Sequence, residues 1–403
     1  MNNFAITDRN EARHRATPTP VELIARAEAM IPALRGRAAE ADRNERLAPE
    51  TMRELREAGF FRILQPPAFG GYGLSPSVLW QVTRQLGRGC GSSAFIVSLL
   101  GVHAWIAGMF DPRAQTEVFS DGADLVATNL SIGVRRSNDT TRSDDGYTVS
   151  GKWSYASGID HADWVIAAIK APTDGGELEE RIALVPVKDF AIDYGSWKVV
   201  GARGTGSKDV TLDKVFVPHY RTVAWDDVQN GVYPGAAVND GPLYRMAAGS
   251  LFFLSSAAPV VAVACSAVDT FVDRIKARPA AAGKSRDPQQ WILIELGRCA
   301  SEVHMAHALL IHDADETFNA AVSGEDLSLE VLARHRADAA MISRTALAAA
   351  ERLFCALGGG LLPSGNAAER AFRDIHAMAS HWRVQPEATC EVYGRVLLGL
   401  DVH

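Results

Sequence analysis

Apolar residues recur at helical spacing near the start of the chain. A first helix is predicted to begin after Thr19, because Thr19-Pro20-Val21-Glu22 combines an N-cap, a proline in the first turn and a capping-box glutamate. Its apolar face comprises Leu23, Ile24, Ala27, Ile31 and Leu34. Further helices are predicted at about 49–58, 76–88 and 91–109. We therefore predict a helical domain over 19–122, preceded by a disordered N-terminus over 1–18.

The pattern changes near Asp124, where short runs rich in Val, Thr, Ile, Trp and Tyr are separated by turn residues. The predicted strands include 147–151, 164–169 and 182–187. Because no helical pattern lies between them, these strands indicate a compact β-barrel or sandwich. We assign this β-domain to residues 123–235.

After Pro242 the spacing of apolar residues is helical again, and Ala, Leu, Glu and Arg dominate. Helices are predicted at about 243–277, 287–320, 328–358 and 365–379. Long helices of this kind pack as a bundle, so the C-terminal domain is predicted to be a helical bundle over 236–403. The predicted fold is thus α+β and mostly α, in the order helical, β, helical.

The composition narrows the classes of partner. Hydrophobic residues make up 47% and charged residues 22%, which is ordinary for a globular protein. A net charge of −7 creates no field that would attract nucleic acid or an anionic membrane. The apolar stretch 247–265 is interrupted by Ser, Gly and Pro, so we interpret it as a buried helix.

The N-terminus is polar and lacks the apolar region of a secretory signal, which predicts a cytoplasmic protein. Five cysteines lie far apart and never in a Cys-x-x-Cys pair. We therefore predict neither a disulfide framework nor a metal site.

Several local motifs occur in a fixed order along this layout. They are the loop Gln65-Pro-Pro-Ala-Phe-Gly-Gly-Tyr-Gly73, the segment Gly201-Ala-Arg-Gly-Thr-Gly-Ser-Lys-Asp-Val210, the spaced residues Arg278, Gly283 and Gln290, and Leu357-Gly-Gly-Gly360 followed by Arg373-Asp374. Together they resemble the acyl-CoA dehydrogenase superfamily. The resemblance implies a helical N-terminal domain, a middle β-barrel domain and a C-terminal four-helix bundle.

One position separates this chain from the common dehydrogenases. In that branch a catalytic Glu lies nine residues after the Arg of the Arg-Asp pair, and here that position is Trp382, preceded by His381. This stretch and Gly151-Lys-Trp-Ser-Tyr-Ala-Ser-Gly158 resemble the oxygenase components of two-component flavin-dependent aromatic hydroxylases. The alternatives are an acyl-CoA dehydrogenase or nitroalkane-type oxidase, and a helical scaffold that has lost flavin.

The oxygenase resemblance implies a definite chemistry. Reduced FMN or FADH2, supplied by a separate flavin reductase, would react with O2 to a C4a-hydroperoxide and hydroxylate a small phenolic or polycyclic substrate. A His could hold the peroxide or take the phenol proton, since its ordinary pKa near 6.5 suits either task. The resemblance also implies a homotetramer.

The same resemblance assigns site residues. The catalytic candidates are His103, Ser157 and His381, with Ser157 placed near flavin N5 and Ala156 as the competing register. The cofactor-binding candidates are Asn129, Ser131, Tyr155, Ala156, Ser157, Arg278, Gln290, Gly359 and Gly360. The substrate-binding candidates are Trp105, Trp197 and Trp382.

Overall fold

The computed structural model describes residues 17–119, 126–129, 138–277, 288–361, 363 and 365–402, with the backbone alone at 126–129 and 360–361. The segment predicted to be disordered, 1–18, lies almost wholly outside these residues. Within the described parts, the predicted order of helical, β and helical segments is observed.

The N-terminal helices are α1 (Pro20–Asn44), α2 (Pro49–Glu57), α3 (Pro76–Gly87), α4 (Gly91–Ala107) and α5 (Pro112–Phe119). The capping box at the start of α1 is confirmed: the Thr19 hydroxyl accepts from the Glu22 amide at 3.2 Å, and the Thr19 amide donates to the Glu22 carboxylate at 2.7 Å. Helix α4 is buried over most of its surface, as its uniformly apolar composition requires.

The strands are β1 (Val126–Asn129), β2 (Asp139–Arg142), β3 (Gly146–Ala156), β4 (Trp164–Pro172), β5 (Leu178–Pro186), β6 (Ala191–Asp193), β7 (Lys208–Pro218) and β8 (Thr222–Ala224). They form two four-stranded sheets, in the orders β1-β4-β5-β8 and β2-β3-β7-β6. Strand β1 pairs parallel to β4, and β3 pairs antiparallel to β7. The predicted β-barrel or sandwich therefore takes the form of two sheets.

Both faces of β4 are buried. Val165 and Ala167 belong to the core between the sheets, whereas Trp164 and Ile166 belong to the larger core shared with the helices. This double burial explains why β4 is a continuous apolar run and not an alternating pattern. The sheet is thereby fixed against the helical parts of the protein.

The C-terminal half contains α6 (Trp225–Gln229), α7 (Ala248–Lys276), α8 (Gln290–Ser323), α9 (Leu329–Leu357), α10 (Ala367–Ala379) and α11 (Pro386–Leu397). Helix α7 is long and apolar enough to cross a membrane, but 83% of its most apolar window is buried inside the protein. We interpret α7 as the core helix of the bundle, because its apolar surface is already covered by protein.

The sequence pattern did not predict α5 or α11. Thr389 is the only residue of α11 that is buried, but Val392, Val396 and Leu397 recur at helical spacing, so this helix had a readable pattern that was not recognised. Helix α5 has eight residues, only about two turns, which gives a short pattern from which to recognise a helix. Both helices begin with a proline in the first turn, where its missing N–H leaves no helical hydrogen bond unmade.

A polar junction joins α1, the loop before β7 and α10. The Arg373 guanidinium binds both carboxylate oxygens of Asp42 at 3.1 and 2.9 Å and donates to the Val200 carbonyl at 2.9 Å. The neighbouring Asp374 carboxylate accepts the Ala202 amide at 2.7 Å. Burial raises the pKa of Asp374 to about 6. Gly201 is required in this loop, because a Cβ there would lie 2.0 Å from the Arg373 carbonyl oxygen.

We expect Asp374→Ala to lower the free energy of unfolding by about 1–3 kcal/mol, because it leaves the Ala202 amide buried without an acceptor. Asp374→Asn is the matched control, since its amide oxygen still accepts that hydrogen bond. Urea unfolding followed by circular dichroism measures both. Equal losses in the two variants would show that the acceptor is not the stabilising feature.

Candidate active site

A cavity of about 550 Å³ lies where α4, the end of β3, the loop before β7 and the end of α10 meet. Its lining residues are Phe95, Leu99, Val102, His103, Ile106, Tyr155, Ser157, Trp197, Val199, Val200, Gly201, Ala202, Thr205, Ser207, Phe252, Ser255, Ala377, Met378, Ser380, His381, Trp382 and Arg383. Six of the residues proposed from the sequence are brought together here: His103, Tyr155, Ser157, Trp197, His381 and Trp382.

The end of β3 is irregular, and the irregularity directs its side chains. Its pairing with β7 shifts register between Trp153 and Ala156, and Tyr155 has φ +66°. A left-handed backbone at a bulky residue costs of the order of 1 kcal/mol or more and is often found at functional sites. As a result Ala156 packs in the core between the sheets, while Ser157 lines the cavity. Ser157, rather than Ala156, therefore directs its side chain into the cavity.

Tyr155 and Trp197 form one aromatic wall of the cavity. Their rings meet edge to face with centroids 6.1 Å apart. The Trp197 indole N–H donates to the Arg203 carbonyl at 2.9 Å, which fixes its orientation. Tyr155 is 69% exposed, so its ring offers a free face to a ligand.

Three hydroxyl groups lie along the cavity wall beneath this aromatic pair. The Ser157 and Ser207 oxygens are 2.7 Å apart, and those of Ser207 and Thr205 are 2.8 Å apart. Thr205 donates to the Ala202 carbonyl at 2.8 Å. Ser207 and Thr205 were not predicted from the sequence as site residues, although both lie in the Gly201–Val210 motif.

The turn after α10 supplies His381, Trp382 and Arg383. The His381 Nδ1 accepts the Arg383 amide at 3.3 Å, so in the neutral ring the proton lies on Nε2. Burial, and then the Arg383 charge, lower the pKa of His381 to about 3. The ring is therefore neutral, and Nε2–H is a hydrogen-bond donor.

Arg383 is the cation of the cavity. Its guanidinium lies 5.6 Å from the Phe252 ring centroid and 4.9 Å from that of Trp382. Such stacking holds a guanidinium in an apolar site. Burial lowers the pKa of Arg383 to about 10, which leaves it charged at neutral pH. Nothing in the sequence distinguished this arginine except its place beside His381 and Trp382.

The His103 side chain lies on α4, is 5% exposed and lines the cavity opposite the C-terminal turn. Trp105 is not among the residues that line the cavity, and its proposed contact with substrate stays a prediction. Its ring packs 5.9 Å from Phe252 and its indole N–H donates to the Leu243 carbonyl at 2.9 Å. Trp105 thus supports Phe252 from behind, because two helix positions separate it from His103 and turn it to another face.

Among the remaining cofactor candidates that the structure describes, Gln290 and Gly359 do not line this cavity. Ser131 and Arg278 lie outside the described residues, as does the Asn129 side chain. Gln290 is exposed at the start of α8, and Gly359 is exposed in the turn 358–361, which also contains Gly360. Their proposed contacts with a cofactor phosphate stay predictions.

The described lining of the cavity lacks the carboxylate that a flavin enzyme would use to abstract a proton from its substrate. Among the described residues, this lining contains two His and one Arg but neither Asp nor Glu. A substrate oxygen in this cavity would meet hydrogen-bond donors and a positive charge. The lining suits a developing or full negative charge on a ligand and offers no carboxylate base.

Away from the cavity, His312, Asp313 and Glu316 could meet at one metal ion. Glu316 already binds the Arg334 guanidinium and lies 2.8 Å from the His335 ring. Burial raises the pKa of Asp313 to about 8, so its carboxyl is largely protonated at neutral pH. Glu316 thus already has protein partners, and the absence of a metal site stays a prediction.

Known proteins are similar to this chain over most of its length. The acyl-CoA dehydrogenase N-terminal domain matches residues 25–110, and the acyl-CoA dehydrogenase C-terminal domain matches 254–386. The flavin-dependent monooxygenase oxygenase subunit HsaA of Rhodococcus jostii (strain RHA1) is 32% identical over 379 residues, covering 94% of this chain and 98% of that protein.

Two further relatives agree. The oxygenase component of the FADH2-dependent resorcinol hydroxylase of Rhizobium sp. (strain MTP-10005) is 30% identical, covering 98% of this chain and 99% of that protein. The crystal structure of 3-HSA hydroxylase from Rhodococcus sp. RHA1 superposes with a TM-score of 0.90 at 31% identity, covering 95% of this chain and 98% of that one.

We expect His381 to stay neutral throughout pH 5–9, because its pKa is lowered to about 3. The unfolded chain binds a proton at this residue below about pH 6.5. Stability from the neutral ring is therefore complete above pH 6.5 and lost as the pH falls from 6.5 towards 3. Nitrogen-15 NMR of labelled histidines, assigned with His381→Gln, measures the titration. A midpoint near 6.5 would contradict the prediction.

Proposed function

Because this chain belongs to the acyl-CoA dehydrogenase family and is an oxygenase component of the flavin-dependent monooxygenases, we propose that it hydroxylates a small aromatic substrate in the cavity beside Ser157. The observation that carries the proposal is the lining of that cavity: aromatic rings, a serine hydroxyl, a neutral His and a half-buried Arg, with no carboxylate among its described residues.

The residues present fit a flavin ring. Tyr155 and Trp382, which are 69% and 49% exposed, give free aromatic surface on the cavity wall, and Ser157 adds one polar group beside it. A flat, apolar heterocycle with a polar edge is complementary to this arrangement. When bound in its reduced form, flavin would supply the two electrons that activate O2 for transfer of one oxygen atom to the aromatic ring. Tyr155, Ser157 and Trp197 are the residues that we propose to hold it.

The substrate's oxygen is proposed to bind at the turn 381–383. The Nε2–H of His381 and the Arg383 guanidinium both favour a phenolate over a phenol, because each stabilises negative charge on oxygen. The ring of a phenolate is more nucleophilic than the ring of a neutral phenol. Under this proposal His381 orients and polarises the substrate as a neutral donor, so general-base catalysis by its ring is disfavoured. His103, on the opposite wall, is proposed as a second contact with the ligands.

We propose that the apolar side chains lining the cavity exclude water from the bound ligands. Leu99, Val102 and Ile106 from α4 and Phe252 from α7 line the cavity. A dry site strengthens the interactions of Arg383 and limits release of H2O2 in place of product. The alternative of an acyl-CoA dehydrogenase finds no support here, because none of the described lining residues can abstract a proton as a carboxylate.

The oxygenase component implies a flavin reductase as partner. We propose that a separate reductase supplies reduced FMN or FADH2 to the cytoplasmic protein. We also propose a homotetramer assembled through the C-terminal helices. Apolar side chains stand exposed on α8, among them Trp291 (52%), Ile294 (61%) and Met305 (58%). A second copy that covered them would bury a surface that is otherwise unfavourable in water.

We expect the wild-type protein, given reduced flavin and O2, to hydroxylate at least one member of a panel of phenol, resorcinol, 4-hydroxyphenylacetate and bicyclic phenols. Ser157→Ala should lower the product formed per reduced flavin about tenfold and raise H2O2 correspondingly, since loss of one hydrogen bond is worth about 1.4 kcal/mol. Product by chromatography and H2O2 by peroxidase coupling measure this split.

The control variant is Thr116→Ala, on the exposed surface of α5, which should leave the coupling unchanged. Purification with tightly bound oxidised FAD that acyl thioesters reduce, and no product from any phenol, would refute the oxygenase assignment for this cavity.

We expect light scattering to give a mass near four times 43.4 kDa. The double variant Ile294→Glu, Met305→Glu should reduce that mass, because charges on α8 would be buried at the interface. Val21→Glu, at a 75% exposed apolar position on α1, is the matched control and should stay tetrameric. A wild-type monomer at micromolar concentration would contradict the proposal.

A further inference from the structure

The three hydroxyl groups along the cavity wall have only one arrangement of hydrogens that satisfies every contact. The Ala202 carbonyl can only accept, so at 2.8 Å the Thr205 hydroxyl must donate to it. Two oxygens at this distance without a hydrogen between them would repel. Thr205 has one hydroxyl hydrogen, and this contact uses it.

The donors in the other two hydroxyl contacts follow in the same way. Because Thr205 has no hydrogen left, the 2.8 Å contact with Ser207 requires Ser207 to donate. The 2.7 Å contact between Ser207 and Ser157 then requires Ser157 to donate. Three hydrogens fill three contacts, each directed along the row towards the Ala202 carbonyl. Ser157 is left with lone pairs, and no hydrogen, towards a bound ligand.

The carbonyl that sets this direction is held firmly in place. The Ala202 amide donates to the buried Asp374 carboxylate at 2.7 Å, and the residue has φ +54°. The Ala202 carbonyl also accepts the Thr205 amide at 3.1 Å, and the Thr205 carbonyl accepts the Gly158 amide at 2.9 Å. Ser157, Ser207 and Thr205 are each at most 5% exposed. Water therefore has little access to supply an alternative partner.

We propose that Ser207 and Thr205 are positioning residues that make Ser157 a hydrogen-bond acceptor only, and that this polarity selects reduced over oxidised flavin. The inference rests on the proposed function and on the placement of Ser157 beside flavin N5. Reduced flavin carries a hydrogen on N5 and can donate to Ser157. Oxidised flavin has a lone pair on N5, which would face the lone pairs of Ser157. The chain's own hydroxyl groups would thus favour arrival of the reduced cofactor and release of the oxidised one.

The test compares dissociation constants of oxidised and reduced FMN, and of both forms of FAD, measured under anaerobic conditions by fluorescence and calorimetry. We expect the wild-type protein to bind the reduced form more tightly. Thr205→Val removes the first link, so Ser207 can donate to Ser157 and Ser157 can donate into the cavity. The ratio of the two constants should then shift towards oxidised flavin by about 3- to 10-fold, the range for one hydrogen bond.

Two further variants separate polarity from structure. Thr205→Ser keeps the hydroxyl and should keep the wild-type ratio, while Ser207→Ala frees the Ser157 hydrogen and should shift the ratio as Thr205→Val does. The midpoint potential of bound flavin gives an independent readout, because it must fall as the preference for the reduced form is lost. Thermal unfolding of each variant confirms that it is folded.

The outcomes are distinct. If Thr205→Val and Ser207→Ala weaken both redox forms equally, the residues are merely structural and this inference is overturned while the oxygenase function stands. A wild-type protein with equal affinity for both forms would overturn it as well. A wild-type protein that binds flavin in neither state would overturn the proposed function and this inference together.

Discussion

The site depends on one buried hydrogen bond, between the Asp374 carboxylate and the Ala202 amide. It joins the last long helix of the bundle to the loop before β7, and Arg373 extends the junction to Asp42 on α1. The cavity lies between these parts, and the junction holds them together. Burial of the charged Asp374 carboxylate is unfavourable, and this cost raises the pKa of the group. That cost is offset only while the loop amide remains its partner.

The junction also determines the polarity of the cavity wall. Ala202 donates its amide to Asp374 and offers its carbonyl to Thr205, so the direction of the hydroxyl row follows from the junction. On the opposite side, His381 is held neutral by burial and by the neighbouring Arg383 charge. The proposed acceptor Ser157 and the donor Nε2–H of His381 thus line the same cavity. Under the proposed function, reduced flavin would donate to the first and a phenolate would accept from the second.

Local backbone strain appears where the ligands are proposed to bind. Tyr155, with φ +66°, interrupts the regular pairing of β3 and turns Ser157 out of the sheet. The buried pairing of β3 with β7 and the packing of Trp153 and Ala156 between the sheets supply the energy that holds this conformation. A strand without that support would relax, and Ser157 would no longer line the cavity.

The sequence by itself determined the order of helical and β segments, most helix bounds to within a few residues, and the family to which the chain belongs. Periodicity and capping depend on residues close in sequence. The sequence therefore predicted the helix N-cap at Thr19 and the buried helix α4. It also pointed to Ser157, His381 and Trp382 through local motifs. Helix α11 was not predicted, although its apolar residues recur at helical spacing.

Only the tertiary structure decided which candidates share a cavity. It placed Trp105 behind Phe252, brought in Arg383 and Ser207, and assigned the proton of His381, because those properties depend on partners distant in the chain. Thr205 and Asp374 are 169 positions apart in the sequence yet both act on Ala202. Hydrogen-bond direction and pKa arise from such long-range neighbours, and no local pattern of residue types encodes them.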